Sequence, residues 1–251
     1  MTSPQFSDHF APVSTSYASF RPTYPAALFD WLAAVAPGHE LAWDCAAGSG
    51  QASSDLAGHF GQVVATDASA AQIAAAVPHP QVEFRVAPAE ASGLGDASVD
   101  LITVAQALHW FDLERFYAEA RRVLKPGGVL AVWTYGVLAV EGDAVDARVQ
   151  AFYHDTVGPY WPPERRHVES GYRTLPFPFA EIPAPSFAME TLWTLAELLG
   201  YFRSWSATGR YVAAKGSDPV EALAAELAPV WGTPLSRRRV TWPLSLRVGR
   251  V

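Results

Sequence analysis

From residue 41 onward, short apolar runs alternate with stretches of helical period, and this alternation restricts the fold more than any other feature of the chain. A strand, a helix and a second strand make a βαβ unit, and successive units lay their strands side by side in a mostly parallel sheet covered by helices. The first run is Leu41 to Cys45, followed by a glycine-bearing turn and a helix expected to reach Phe60. Next come a strand Gln62 to Thr66 that ends at Asp67, and an alanine-rich helix Ser69 to Val77 stopped by Pro78 and Pro80. Val82 to Val86 and Val99 to Ala105 are the third and fourth strands, apolar enough to be buried on both faces. Asp112 is placed to cap the next helix, whose Leu113, Phe116, Tyr117, Ala120 and Leu124 share one face. Lys125-Pro126-Gly127-Gly128 ends that helix, and Val129 to Trp133 reads as the fifth strand.

Beyond Tyr135 the pattern loosens. Seven prolines between Pro159 and Pro185 argue against regular strands and for an irregular cap containing one helix near 143–157. Phe187 to Thr194 and Arg239 to Val248 are expected to be the last two strands, with helices near 195–205 and 218–230 between them. Pro243 implies a bulge or a late start in the final strand. Ahead of the sheet, Tyr24-Pro25 opens a helix with Leu28, Trp31, Leu32 and Val35 as its apolar stripe. The expectation is one α/β domain, a doubly wound sheet of seven mostly parallel strands with helices on both faces. Residues 1–40 form an N-terminal lid over the carboxyl edge of the sheet, 41–135 the core, 136–187 the cap insert, and 188–251 the closing strands and helices.

The bulk chemistry narrows the functions this frame can serve. Half of the 251 residues are apolar and the formal net charge is −7, so the overall field repels a polyanion, and no basic stripe compensates. Nucleic acid is therefore not an expected partner. No apolar run approaches the ~18 residues of a membrane span, and MTSPQFSDHF has neither a basic start nor an apolar core of the signal-peptide kind, which leaves a cytoplasmic enzyme as the expectation. One cysteine, Cys45, cannot form an intrachain disulfide, and the seven histidines lack metal-ligand spacing, so no metal is expected. Oligomeric state is not legible.

Chemistry concentrates where strands end. Asp44-Cys45-Ala46-Ala47-Gly48-Ser49-Gly50 lies at a strand-to-helix turn, where glycines let backbone approach a ligand and a helix start offers unpaired N–H groups. Alone, such a turn is as often structural, and Gly48-x-Gly50-x-x-Ser53 also brushes against a dinucleotide pattern. Asp67, 17 residues beyond Gly50, stands where an acid accepts hydrogen bonds from ribose hydroxyls. Capping the helix at Ser69 is its plainer role, and the two are compatible.

Five collinear segments together carry more: DCAAGSGQ (44–51), VVATD (63–67), VAPAE (86–90), DASVDLITVAQALHWFD (96–112) and RVLKPGGVLAVW (122–133). In these the chain resembles class I S-adenosylmethionine-dependent methyltransferases of Rossmann-like fold, in the small-molecule branch that includes trans-aconitate methyltransferase-like and ubiquinone-biosynthesis-like enzymes. Two positions depart from the family pattern: Ala46 replaces the first loop glycine, and Pro88 replaces an aspartate common before the adenine-contacting alanine. The resemblance implies that Asp44, Ala46, Gly48 and Gly50 line the methionine end of S-adenosylmethionine, Asp67 holds the ribose, Ala89 and Glu90 flank the adenine, and Gln106 sits beneath the sulfonium.

It also implies a small-molecule acceptor, a carboxylate being one candidate. His109 is a candidate base or a structural hydrogen-bonding residue, and Trp110 a candidate apolar wall. The segment SYASFRPTYP (16–25) resembles the N-terminal lid motif of the branch, and there Tyr17 and Arg21 are candidate acceptor contacts, Arg21 pairing with a carboxylate or with a surface partner. Arg165, Arg166 and Arg173 are further possible anion contacts or plain solvated charges. Trp161, Trp193 and Trp205 are possible pocket walls, with core packing as the default. Two other readings remain open at this point. A nicotinamide-dependent oxidoreductase would use the same turn and Asp67, and a non-catalytic nucleotide-binding protein would explain Ala46 and Pro88.

Overall fold

The computed structural model describes residues 22–251. Its strands, in chain order, are β1 (Leu41–Cys45), β2 (Gln62–Asp67), β3 (Val82–Val86), β4 (Val99–Ala105), β5 (Leu124–Tyr135), β6 (Ala139–Val140), β7 (Ala180–Glu181), β8 (Ala188–Trp193) and β9 (Arg238–Arg250). They form one sheet in the order β3-β2-β1-β4-β5-β9-β6, with β7 and β8 also paired to β9. The first five are parallel, and β9 runs antiparallel to β5. The helices are α1 (Ala26–Val35), α2 (Gln51–Leu56), α3 (Ala70–Ala74), α4 (Leu113–Val123), α5 (Asp143–Ala151), α6 (Arg165–Glu169), α7 (Leu195–Arg203), α8 (Ser206–Lys215) and α9 (Pro219–Trp231). None of the described helices is long and apolar enough to cross a membrane.

Strand alternation sorts the core into two layers. Ala42, Val63, Leu101, Val129, Ala131 and Trp133 point to one face and meet Leu28, Phe29 and Leu32 of α1 and Leu56 of α2. Trp43, Val64, Ile102, Val104, Leu130 and Val132 point to the other and meet Phe116, Tyr117, Ala120 and Val123 of α4. Both faces are covered, which is why these strands lack polar alternation. A third apolar cluster, built on Val149, Trp193, Phe202, Trp205, Leu223, Trp231 and Trp242, joins the cap helix α5 to α7, α8, α9 and the first half of β9.

Several expectations shift. α1 lies flat on a sheet face instead of over the carboxyl edge, because Phe29 and Leu32 find apolar partners in β1, β4 and β5. α2 stops at Leu56 and continues to Phe60 only as turn bonds. β5 begins at Leu124, loops out Lys125–Gly128 and resumes its ladder at Val129. α8 was not anticipated. The sheet has nine strands in place of seven through the two-residue β6 and β7. β9 is continuous through Pro243, the last of the six residues paired with β8, while β5 pairs from Leu244 onward. The missing N–H of proline thus falls where the strand exchanges partners, and no bulge is required.

Candidate functional site

β1 connects outward to β2 on one side, while β4 lies on its other side, so the chain reverses direction across the sheet between β1 and β4. Open α/β sheets bind ligands in the crevice at the carboxyl ends of such strands. Here the crevice is bounded by the loop after β1 and the loop after β4. Each opens on a non-glycine residue in the left-handed region, Ala46 (φ 54°) and Gln106 (φ 59°). Such conformations are disfavoured by about 1–3 kcal/mol each and cluster where a chain is shaped for a ligand.

The first loop is tied down at several points. Ala47 N–H donates to the Thr66 carbonyl (2.9 Å), and Gly48 N–H donates to Asp67 Oδ2 (2.9 Å). The other oxygen of Asp67 accepts from Ser69 N–H (2.8 Å), and Ser69 Oγ in turn caps α3 by accepting from Gln72 N–H. Asp67 therefore links the β1 loop to the start of α3. Gly48 and Gly50 both have positive φ. At Gly50 a Cβ would stand 2.7 Å from the Phe84 ring of β3, so no side chain fits; at Gly48 it would meet only Gln72 Oε1, at 3.7 Å. The loop is thus closed beneath Gly50 and open at Gly48.

Asp44 sits below the loop, 1% exposed, accepting hydrogen bonds from Ser53 Oγ (2.6 Å) and Thr103 Oγ1 (2.9 Å). Burial pushes its carboxyl up to about 6 despite those two bonds. Cys45, also buried, keeps its thiol protonated because desolvation raises it well above the usual range. On the far side, Ala89 is buried and Glu90 Oε1 accepts from Asp112 N–H (3.0 Å), fixing the loop after β3 to the start of α4.

The side-chain amide of Gln106 is turned to β5: Nε2 donates to the Tyr135 carbonyl (3.0 Å) and Oε1 accepts from Thr134 Oγ1 (2.7 Å). His109 lies on a short 3₁₀ turn, Leu108–Trp110, with Nδ1 2.9 Å from the hydroxyl of Tyr172 and its ring against Trp110. Burial, seconded by the charges of Arg165 and His167, pulls His109 down to about 4, so it is neutral at physiological pH. Tyr172 is fully buried in the cap and left-handed at φ 62°, and desolvation raises its hydroxyl well above the ordinary phenol range.

The sequence-selected residues Asp44, Ala46, Gly48, Gly50, Asp67, Ala89, Glu90, Gln106, His109 and Trp110 all follow or end strands β1 to β4 at this one edge. Tyr17 and Arg21 lie outside the described residues. Trp193 and Trp205 are core residues of the cap cluster, with Trp161 packed against it. Arg166 and Arg173 are exposed; Arg165 is held by the cap. Sequence reading passed over Thr103, Thr134 and Tyr172. The two threonines look like strand residues, and Tyr172 lies in a segment without periodicity; only the pairing of a polar residue with a neighbouring strand's acid hints at Thr103.

Comparison with known proteins places this geometry. A family model described as a methyltransferase domain matches residues 43–132. A Dictyostelium discoideum protein carrying a provisional methyltransferase name is 35% identical over 246 residues, spanning 93% of this chain and 92% of that one. A solved structure from Anaeromyxobacter dehalogenans, described provisionally as a type II methyltransferase, superposes with a TM-score of 0.89 at 52% identity, covering 92% of this chain and 98% of that chain. An uncharacterized methyltransferase of Mycobacterium tuberculosis is 38% identical over 120 residues, 47% of this chain and 49% of that protein. Likeness over the whole length overturns both the nicotinamide oxidoreductase and the non-catalytic readings. The chain belongs to the class I S-adenosylmethionine-dependent methyltransferases, and S-adenosylmethionine is its cofactor.

Proposed function

We propose that this methyltransferase acts on a small-molecule acceptor and that the acceptor atom is a carboxylate oxygen, as in the trans-aconitate methyltransferase-like branch its motifs resemble. When bound, S-adenosylmethionine supplies a methyl group on cationic sulfur, so an acceptor lone pair forms the new bond while the C–S pair leaves with the sulfur. The resemblance assigns the residue roles along this edge: Asp44, Ala46, Gly48 and Gly50 at the methionine end, Asp67 at the ribose, Ala89 and Glu90 beside the adenine, Gln106 below the sulfonium. The fit is chemical as well as spatial. Gly48 leaves open space, and each Asp67 oxygen takes one N–H, which leaves lone pairs for hydroxyl donors. Asp44 shapes the loop through Ser53 and Thr103.

The observation that carries the acceptor assignment is His109. Its Nδ1 is committed to Tyr172, and its ring is a weak base. Of the neighbouring carboxylates, Asp44 is buried beneath the loop, and Asp67 and Glu90 are given to the cofactor in this reading. An acceptor that must lose a proton finds poor help there. An ionised carboxylate needs none, since its methylation gives a neutral ester and releases no proton. Such an acceptor needs alignment, and orientation supplies up to ~7–11 kcal/mol in favourable cases.

Titration with S-adenosylhomocysteine tests the cofactor roles. Asp67→Ala is expected to weaken binding by roughly 1–3 kcal/mol, through loss of a charged acceptor. Gly48→Val is expected to abolish it, since a β-branched side chain both fills the open space and strains a backbone at φ 57°. Turnover on a panel of acceptors tests the rest. Arg21→Lys is expected to lower methyl transfer substantially at unchanged cofactor affinity, with His109→Ala the milder change. The opposite pattern would assign a protonated hydroxyl, amine or thiol as acceptor.

A further inference from the structure

α6 is a single helical turn or so, but its placement is informative. Val168 is buried in the cluster that contains Ala107 and Leu108, at the carboxyl end of β4. Arg165 precedes Val168 by three residues and so shares its face. It therefore looks toward the same edge, and its charge is felt by both His109 and Tyr172 there.

The guanidinium is fixed from behind. Arg165 Nε donates to the Tyr153 hydroxyl (2.8 Å), which donates onward to Glu169 Oε1 (2.9 Å). The guanidinium carbon lies 4.5 Å from the centre of the Trp161 ring. Tyr153 is itself 1% exposed, so this support belongs to the core of the cap. Other arginines contrast with it: Arg122 pairs with Glu119 and Asp96, Arg247 with Glu181, and Arg203 with Asp218. The terminal nitrogens of Arg165 have neither carboxylate nor carbonyl partner among the described residues. Arg165 and Trp161 also line an open surface groove of about 310 Å³ with Tyr153, His154, Arg166 and Glu169.

A planar cation held at Nε and by stacking, with both terminal nitrogens unanswered, is preorganised for end-on, two-point pairing with a carboxylate. We propose that Arg165 anchors a carboxylate of the methyl acceptor, making the cap insert the element that sets substrate class. The inference rests on the carboxylate reading above and names the residue that enforces it.

The test uses the full-length protein loaded with S-adenosylhomocysteine and titrated calorimetrically with benzoate, succinate and tricarballylate, with phenol and phenyl phosphate as matched arms. Turnover is then measured on the same compounds with S-adenosylmethionine. The expected result is binding of at least one acid over phenol and phenyl phosphate. Arg165→Gln should weaken it by at least about tenfold, with Arg165→Lys intermediate. Tyr153→Phe, which frees Nε, should raise the acid's KM with less effect on kcat, and S-adenosylhomocysteine affinity should stay within about twofold of wild type in every variant, which also reports an intact fold. Acid binding and turnover unchanged in Arg165→Gln would overturn the anchor while leaving the carboxylate acceptor standing. A wild type that binds none of the acids, or that prefers phenol or phenyl phosphate, would overturn the acceptor reading and the anchor together.

Discussion

An aspartate sealed beneath a ligand loop with only two hydroxyls for company is an acid that the fold holds at some expense. The Asp44 carboxyl titrates near 6 when folded against 3.8 in ordinary surroundings, with burial as the leading cause. The folded state thus keeps the proton where the unfolded chain has lost it. Stability from this group is highest below about pH 4, falls as pH rises towards 6 and is level above. The difference is on the order of 3 kcal/mol. Asp44→Asn removes it, so the stability of the variant relative to wild type should improve by about that amount between pH 4 and pH 7. Urea titrations at the two pH values check it, and a difference independent of pH would remove the argument. A cationic ligand group above Asp44 would favour its ionised form, so cofactor affinity should rise as pH passes 6 in wild type and not in the variant. Ala46 presents a separate residue-scale case, since a left-handed alanine costs about 1–2 kcal/mol relative to a right-handed one. Ala46→Gly relieves that strain and gives back part of it as unfolded-chain entropy, for a net gain of about 0.5–1 kcal/mol by thermal or urea unfolding.

At the scale of elements, α7 begins with a complete capping box. Thr194 Oγ1 accepts from Glu197 N–H (3.4 Å), and Glu197 Oε2 accepts from Thr194 N–H (2.7 Å). Thr194→Ala should cost about 1 kcal/mol, or 2–4 °C in the melting midpoint for a chain of this size, with methyl transfer unaffected because α7 lies in the cap cluster away from the carboxyl edge. The Thr-x-x-Glu signal was in the sequence, as were the spans of β1, β3 and β4, where short runs with apolar residues at alternate or successive positions end at turn residues. Less could be read where pairing, and not composition, decides. Leu124 joins β5 because it pairs with Val99 across a four-residue loop, and Pro243 is tolerated because its neighbours in the sheet change there. α8 carries Gly209 and little periodicity, and only the Lys215-Gly216 stop, with Gly216 left-handed at φ 73°, announces its end. For the site, the glycines, acids and strand-end residues were legible because backbone geometry demands those types. Tyr172 was not, and Arg165 was legible only as one of three possible anion contacts, because their positions depend on how an aperiodic cap folds back onto the sheet.

Across the whole molecule, β9 is the element that both halves share. Its first part places Val240 and Trp242 in the cap cluster, and its second places Leu246 and Val248 against the sheet face occupied by α1. Trp242 is fully buried, its ring centred 5.1 Å from Trp193 and 5.5 Å from Tyr201, with Nε1 donating to the Tyr201 hydroxyl (3.2 Å). A strand hydrogen-bonded on both edges cannot leave the cap without loosening its ladder to β5, so cap and sheet should unfold as one unit despite their separate apolar clusters. Trp242→Phe shrinks the ring and removes the indole donor, at an expected cost of roughly 1–3 kcal/mol. Near-ultraviolet circular dichroism reports the tryptophan-rich cap and far-ultraviolet the whole backbone. The two signals should give coincident transitions in wild type and shift together in the variant. If Trp242→Phe moves only the near-ultraviolet transition and leaves the far-ultraviolet midpoint in place, the cap is an independently folding layer and its coupling to the methyltransferase core through β9 is refuted.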